Sequence, residues 1–195
     1  MKKIFSGFTN KTGENLLLDA GAYFKNYDVE TDTFESAVTA GKLIGATRGG
    51  GEFKAVPEIR TVEVDGIKGR AKGLTEIDSW DVSIQANVLE VTTETLKLGL
   101  GVATIDTPTE GKYDIVTAKN SIEDEDYLDN ITWVGQLSGS NEPVIIQVYN
   151  TLNIEGLTLA TAPKGEAVTS MTFAGHYKQD DLNTPPFKIY YPKAS

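Results

Sequence analysis

The sequence predicts a mainly β protein: an antiparallel β-sandwich or barrel with one short α-helix and a long inter-strand loop. Short runs of β-branched and aromatic residues recur between Gly, Pro, Asn and Asp residues, which is typical of antiparallel sheets. One of these runs, residues 78–89, alternates between polar and apolar residues as a half-buried strand does. A chain of 195 residues can bury most of its apolar surface, so residues 1–195 are expected to form a single domain.

The clearest strand is predicted at residues 78–89. Its apolar residues occupy every second position from Trp80 onwards, so one face should be buried and the other should meet water. A strand at residues 59–64 precedes it, and Asp65-Gly66 is a typical two-residue hairpin turn. Further strands are predicted at residues 16–24, 113–118, 130–137, 144–152, 168–177 and 187–191.

A short helix is predicted at residues 92–99. Thr92 can cap its first turn, Glu94 places an acid near its amino end, and Gly99 can terminate it. Because two turns of helix are not stable alone in water, its leucines are expected to dock on a sheet.

Two stretches are predicted as loops. Residues 41–57 contain Gly49, Gly50 and Gly51 in a row, and three glycines leave no side chain that could fix the backbone. Such a loop is either mobile or ordered by a neighbouring molecule. Residues 121–126 include four adjacent carboxylates, which should repel each other and remain in water as an exposed turn.

Composition excludes several classes of function. The chain carries 28 acidic and 18 basic side chains, a net charge of −10, so it is not expected to bind phosphate backbones. It contains no cysteine, which excludes disulfides and thiol chemistry. No apolar run approaches the ~20 residues that cross a bilayer, so we expect no membrane partner and a water-filled, cytoplasmic setting.

No catalytic, metal-binding or cofactor-binding pattern emerges from the sequence. His176 is the only histidine, and no serine lies in a Gly-x-Ser-x-Gly elbow, so a structural histidine is favoured. The glycine run at residues 49–51 lacks the Lys-Ser/Thr ending of a phosphate loop. The acidic run at residues 123–126 lacks the spacing of a calcium loop. The chain is therefore not expected to be an enzyme or to hold a cofactor.

Six stretches along the chain are similar in residue pattern and order to a known family. They are Asp19-Ala20-Gly21-Ala22, Gly45-Ala46-Thr47-Arg48-Gly49-Gly50-Gly51-Glu52-Phe53, Pro57-Glu58-Ile59-Arg60, Val64-Asp65-Gly66, Gly175-His176-Tyr177 and Asp181-Leu182-Asn183-Thr184-Pro185-Pro186-Phe187. Over most of its length the chain thus resembles the major tail proteins, or tail tube proteins, of bacteriophages with long non-contractile tails.

The resemblance implies a structural virion protein that assembles from its own copies. In this family six subunits close into a ring, and rings stack into a tube through which double-stranded genomic DNA passes. The implied partners are tape-measure, tail-terminator and baseplate or initiator proteins. The implied location is the virion tail, assembled in the host cytoplasm. A long loop between early strands reaches the adjacent ring, and here residues 41–57 resemble that loop.

Two sets of residues follow as hypotheses for the surfaces of such a tube. An acidic bore would repel DNA phosphates and let DNA slide, and strand alternation suggests polar side chains for it. The candidate lumen-facing residues are Thr61, Glu63, Asp81, Ser83, Gln85 and Asn87. The candidate inter-ring residues are Arg48, Gly49, Gly50, Gly51, Glu52 and Phe53. A small basic patch at Lys68, Arg70 and Lys72 either meets an acidic patch on the next subunit or is simply solvated.

Other functions stay open at this point. The chain fits a tube or terminator component of a contractile tail-like machine, or a capsid-decorating protein. A carbohydrate-binding adhesion module would need exposed aromatic residues on a concave face, which Trp133, Tyr190 and Tyr191 could supply.

Overall fold

A computed structural model describes residues 6–161 and 163–193. Within these residues the chain is mainly β, with a sandwich-like arrangement that does not close into a barrel, which confirms the predicted fold class. None of the described helices has the length and apolar character that spanning a bilayer requires. The strands are β1 (Leu17–Lys25), β2 (Thr47–Thr61), β3 (Thr75–Val88), β4 (Ala103–Asp106), β5 (Ile115–Ala118), β6 (Leu128–Leu137), β7 (Val144–Asn153), β8 (Thr169–Ala174) and β9 (Phe187–Tyr190). The helices are α1 (Phe34–Thr39) and α2 (Thr93–Leu100), with 3-10 turns at Thr12–Glu14 and Asp124–Asp126.

The antiparallel strands form two layers, the first with β1, β6, β7 and β9 and the second with β8, β3 and β2, and the end of β7 joins them. The order along the hydrogen-bonded path is β1-β6-β7-β8-β3-β2, with β9 added beside β7. Most of β7 pairs with β6 and β9, but its last residues, Leu152 and Asn153, pair with β8. The chain of hydrogen bonds therefore passes from the first layer to the second at the end of β7. Strands β4 and β5 form a separate small hairpin.

The main core lies between the two layers. Alternate residues of β3 point into it, and they meet apolar side chains from β6, β7 and β8. The fully buried members include Val82, Ile84, Ile131, Met171 and Phe173. A second cluster on the far side of the first layer contains Phe24, Tyr27, Ala37, Val134 and Ile145. The predicted alternation of residues 78–89 is thus confirmed, because its apolar positions are the ones that are buried.

The two helices are both held by threonine caps. In α2 the Thr92 hydroxyl accepts a hydrogen bond from the Thr95 N–H at 3.1 Å, and Gly101, with φ of 77°, ends the helix. This confirms the short helix predicted at residues 92–99 and its Thr92 cap, but Gly99 does not terminate it, because Gly99 is buried within α2. The expectation of one helix was incomplete, since α1 begins after a similar cap at Thr33. Its Phe34 ring packs edge-on against Phe24, with centroids 5.5 Å apart.

The prediction of a long loop at residues 41–57 is wrong, because β2 already begins at Thr47. Glycine is needed here because the strands approach each other closely. A side chain at position 51 would place its Cβ 1.9 Å from the Gln85 carbonyl oxygen and 2.3 Å from the Tyr23 hydroxyl. The long inter-strand connection lies instead at residues 62–74, closed by a hydrogen bond from the Val62 N–H to the Leu74 carbonyl at 2.8 Å. Asp65-Gly66 is one turn within this connection rather than a complete hairpin turn.

The predicted exposed turn at residues 121–126 is confirmed for residues 121–125, and Asp126 is the exception. The side chain of Asp126 is only 4% exposed and lies 2.8 Å from the ammonium of Lys119, which also reaches Glu123 and Glu125. Burial acts to raise the pKa of Asp126, but hydrogen bonds from Lys119 and from the Glu123 N–H outweigh it and lower that pKa below its ordinary value. One lysine therefore gathers the carboxylates that were expected to repel each other freely.

We expect Gly51→Ala to destabilise the fold by about 2 kcal/mol, because the added methyl group must push two packed strands apart. Urea unfolding followed by circular dichroism measures this change. Gly13→Ala is the matched control, since a Cβ at that position meets nothing within 4 Å. Equal stability of the two variants would contradict the close-approach explanation.

Candidate assembly surfaces

The β2–β3 hairpin continues beyond the main core as a projection, which we call the arm (residues 57–79). Trp80 marks the place where β3 leaves the body. Its ring packs against Phe187 with centroids 5.6 Å apart, and the backbone N–H of Trp80 donates to the Tyr177 hydroxyl at 2.9 Å. Beyond this point the two strands pair with each other as far as Thr61 and Thr75.

The inner face of the arm is apolar and exposed. Along β2, Ile59 follows the alternation of Phe53 and Ala55, which pack on the core. A one-residue shift in register after Ser79 brings Ile77 opposite Ile59. These two isoleucines are 56% and 54% exposed, so the face that is buried in the body meets water in the arm. Exposed apolar surface of this kind marks an interaction site. The connection adds Val64 and Ile67, which are also exposed.

On the opposite face of the arm, a cluster of ion pairs connects the two strands. Arg60 on β2 donates to Glu76 at 2.6 Å and to both carboxylate oxygens of Asp78 at 3.1 Å. The hydrogen bond to Asp78 and the charges of both acids raise the pKa of Arg60. Because these contacts join the two strands across their width, we expect them to stiffen the arm.

The end of the arm carries three cations beside the two acids Glu63 and Asp65. Lys68, Arg70 and Lys72 lie exposed in the connection at residues 62–74, and none of the three forms an ion pair within the part of the chain that the structure describes. We call them the basic tip. The sequence predicted their proximity, although they lie in an irregular connection and not on one face of a strand.

Four of the six candidate lumen residues lie together on the outward face of β3. They are Asp81, Ser83, Gln85 and Asn87. Side chains from the neighbouring strands surround them, since Lys54 lies 3.7 Å from Asp81 and Gln85 donates to Ser170. We call this surface the polar outer face.

The other two candidate lumen residues lie elsewhere. Alternation places Thr61 on the inner side of the arm with Ile59, and Glu63 lies in the connection beyond β2. Whether the polar outer face lines a bore stays a prediction.

The candidate inter-ring residues are all part of β2 and point in different directions. Arg48 forms an ion pair with Glu166 at 2.8 Å, and Phe53 packs on the core beside Phe187. Gly49 and Gly50 have φ of 78° and 66° and form a bulge against β3. Glu52 is exposed beside this bulge. The six residues therefore do not form a free loop.

A cleft of about 540 Å³ opens between β1 and β2, and we call it the β1–β2 cleft. Among the described strands, β1 pairs only with β6 and β2 only with β3, although residues 42–44 also bond to β1 at residues 23–25. Apolar residues line most of the cleft, and its two charged residues are both acidic. The lining residues used below are Leu17, Phe53, Trp133, Ile146, Asp19 and Glu52.

Sequence reasoning missed this cleft because bulges on both strands create it. On β1, Asp19 and Gly21 have φ of 61° and 66°, and the Trp133 indole N–H donates to the Ala20 carbonyl at 2.8 Å. Gly135 lies against the same indole, where a Cβ would come within 2.0 Å of a ring carbon. A tryptophan two residues before a glycine was the available signal, but its partner at position 21 is distant in sequence.

The remaining candidate residues have contacts within the fold. His176 places Nδ1 2.9 Å from the Asn150 carbonyl oxygen, and its ring meets Tyr127 edge-on at 5.1 Å. Trp133 lines the cleft, whereas Tyr190 packs on the second core cluster, on the other side of the first layer. These two aromatic residues do not share the concave face that a carbohydrate site would need.

We expect Arg60→Gln to loosen the arm while the body keeps its stability. Solvent screens these exposed ion pairs, so their loss should change the free energy of unfolding little. Their loss should speed hydrogen exchange of the backbone amides in residues 75–78. Exchange measured by mass spectrometry checks this, with Arg48→Gln as the control because it removes an exposed ion pair outside the arm. Unchanged exchange in the arm would show that the ion cluster does not stiffen it.

Comparison with known proteins leaves these surfaces to be interpreted from their chemistry. No family model matches the chain, and no curated protein matches its sequence. The arm, the polar outer face and the β1–β2 cleft are therefore the observations on which a function has to rest.

Proposed function

We propose that this chain is the subunit of a phage tail tube of the long, non-contractile kind. It is a structural virion protein that self-assembles into stacked rings, six subunits to a ring by the resemblance, and genomic DNA passes through the resulting tube. The observation that carries the proposal is the arm, whose inner face continues the core side of the sandwich but is exposed to water within the described residues.

The arm favours a subunit that completes itself by assembly. Covering a large aliphatic side chain contributes about 1.5–3 kcal/mol relative to leaving it in water. The arm presents four such side chains, at Ile59, Val64, Ile67 and Ile77, on a projection stiffened by Arg60. A stiff projection can bind without a large loss of conformational freedom. Self-association is therefore favoured over simple exposure.

The free strand edges favour the same conclusion. Within residues 6–161 and 163–193, β2 has one edge that pairs with no other strand. The corresponding edge of β1 is paired only at residues 23–25, where the backbone of residues 42–44 bonds to it. Exposed edges invite pairing with other chains unless the assembly covers them. Closed rings of identical subunits cover every edge in the same way.

The polar outer face is the surface that best suits passing DNA. Its hydroxyl and amide side chains bond to one another, as in the pair Gln85 and Ser170, and Asp81 lies close to Lys54. In a chain of net charge −10 such a face offers phosphates little to bind. DNA would slide along it. The tape-measure, terminator and baseplate partners and the virion location belong to the proposal through the resemblance alone.

We expect purified protein to grow long hollow rods as its concentration rises, and the double variant Ile59→Asp with Ile77→Asp to remain soluble and folded without rods. Two charges on the inner face make its burial against another copy unfavourable. Negative-stain electron microscopy gives the readout, and circular dichroism checks the fold. Ile122→Asp is the matched control, since Ile122 is 57% exposed and lies outside the arm. A wild-type protein that stays solitary at every concentration would overturn the proposal.

A second test asks whether the polar outer face lines the bore. We expect rods assembled from the Asp81→Lys variant to retain short duplex DNA at low salt in a form protected from nuclease. A lysine on the polar outer face attracts phosphates inside the tube, where the nuclease cannot enter. Rods of Glu142→Lys, changed in the exposed connection between β6 and β7, should retain DNA that the nuclease digests. Equal digestion of DNA on both variants would remove the polar outer face as the bore.

A further inference from the structure

We propose that the arm of one copy docks in the β1–β2 cleft of a second copy. This inference rests on the proposed function, because it names the acceptor surface for the contact by which subunits assemble. Three observations carry it: the apolar match between the two surfaces, the match of their charges, and the direction of β2.

The cleft is apolar, so it could cover the exposed apolar face of the arm. Its lining side chains Phe53, Trp133 and Ile146 come from both layers of the sandwich. At its edge Leu17 is 55% exposed, which leaves a large aliphatic side chain in water beside an apolar depression. The arm offers Ile59 and Ile77 at nearly the same exposure. Docking would remove both apolar surfaces from water at once.

The charges of the two surfaces are opposite. Asp19 and Glu52 lie at the cleft, and no lysine or arginine is among the residues that line it. The basic tip of the arm holds three cations that lack an ion pair within the described chain. Two copies that each carry −10 repel each other in most orientations. Bringing the basic tip to the acidic cleft is an orientation in which attraction replaces that repulsion, so charge selects this contact.

The direction of β2 requires that the arm come from another copy. The same strand lines the cleft at Phe53 and enters the arm at Pro57. An extended strand advances about 3.3 Å per residue, so β2 carries the arm away from the cleft that it borders. Because β2 stays paired with β3 throughout, the arm cannot turn back into its own cleft. Donor and acceptor surfaces are thus separate on each chain, and such a head-to-tail contact repeats from copy to copy.

A mixed disulfide experiment tests the contact directly. The chain has no cysteine, so any disulfide must come from introduced residues. One protein carries Leu17→Cys and a mass tag, and the other carries Ile77→Cys. We expect the mixed dimer to exceed, by at least about tenfold, that formed between Leu17→Cys and Glu76→Cys, because a disulfide needs Cα atoms within ~7 Å of each other. Glu76 is similarly exposed but lies on the opposite face of the arm.

The outcomes separate the docking from the proposed function. Wild-type rods together with equal yields from the two mixtures would overturn the docking and leave the tube standing. A selective mixed dimer between the cysteine variants, together with a wild-type protein that forms no rods, would support the docking and overturn the tube. Absence of any mixed dimer would overturn the docking.

A charge exchange serves as a second measurement that needs no cysteine. Lys68→Glu with Arg70→Glu and Lys72→Glu should slow the growth of rods, and adding Glu52→Lys to the same chain should restore part of the rate. Adding Glu142→Lys is the control, since it changes the net charge equally but lies outside the cleft. Equal rescue by the two lysines would overturn the contact.

Discussion

The alternation of side chains along β2 and β3 is the constraint on which the rest of the structure depends. One face of this hairpin supplies the centre of the core, through residues such as Val82 and Ile84. The same face continues into the arm, where nothing within the described chain covers it. Along β2 the alternation of Phe53 and Ala55 continues to Ile59, which therefore points to the same side. In β3 strict alternation from Val82 would place Ile77 on the outer face, and the bulge after Ser79 brings it to the inner side.

The bulges determine what the remaining surface can do. On β2, Gly49 and Gly50 bend the strand beside the cleft, and on β1 the same effect comes from Asp19 and Gly21. Trp133 fixes the second bulge through its bond to the Ala20 carbonyl. These local irregularities keep the two strand edges from pairing along their length. They leave a space with apolar walls where a regular sheet would have continued.

Much of the fold could be predicted from sequence because its signals are local. The alternation of residues 78–89 and the Thr92 cap are each read within a few neighbouring positions. The glycine run was misinterpreted because its cause is not local: Gly51 is required by Gln85 and Tyr23, which lie far away along the chain. The polar outer face followed from alternation in β3. Thr61 and Glu63 were grouped with it as the polar residues of a strand at residues 59–64, but β2 ends at Thr61, which follows Ile59 on the inner side of the arm.

The sharing of β7 between the layers has a mechanical meaning. Starting at β2 and ending at β1, backbone hydrogen bonds connect the strands of both layers in series. The two ends of that series face each other across the β1–β2 cleft, a seam that is bridged only where residues 42–44 bond to β1 within the residues described. In the proposed assembly a neighbour's arm would occupy the seam. Tension applied to a chain of such subunits would then be carried by strand pairing within each one and by side-chain packing only at the joints.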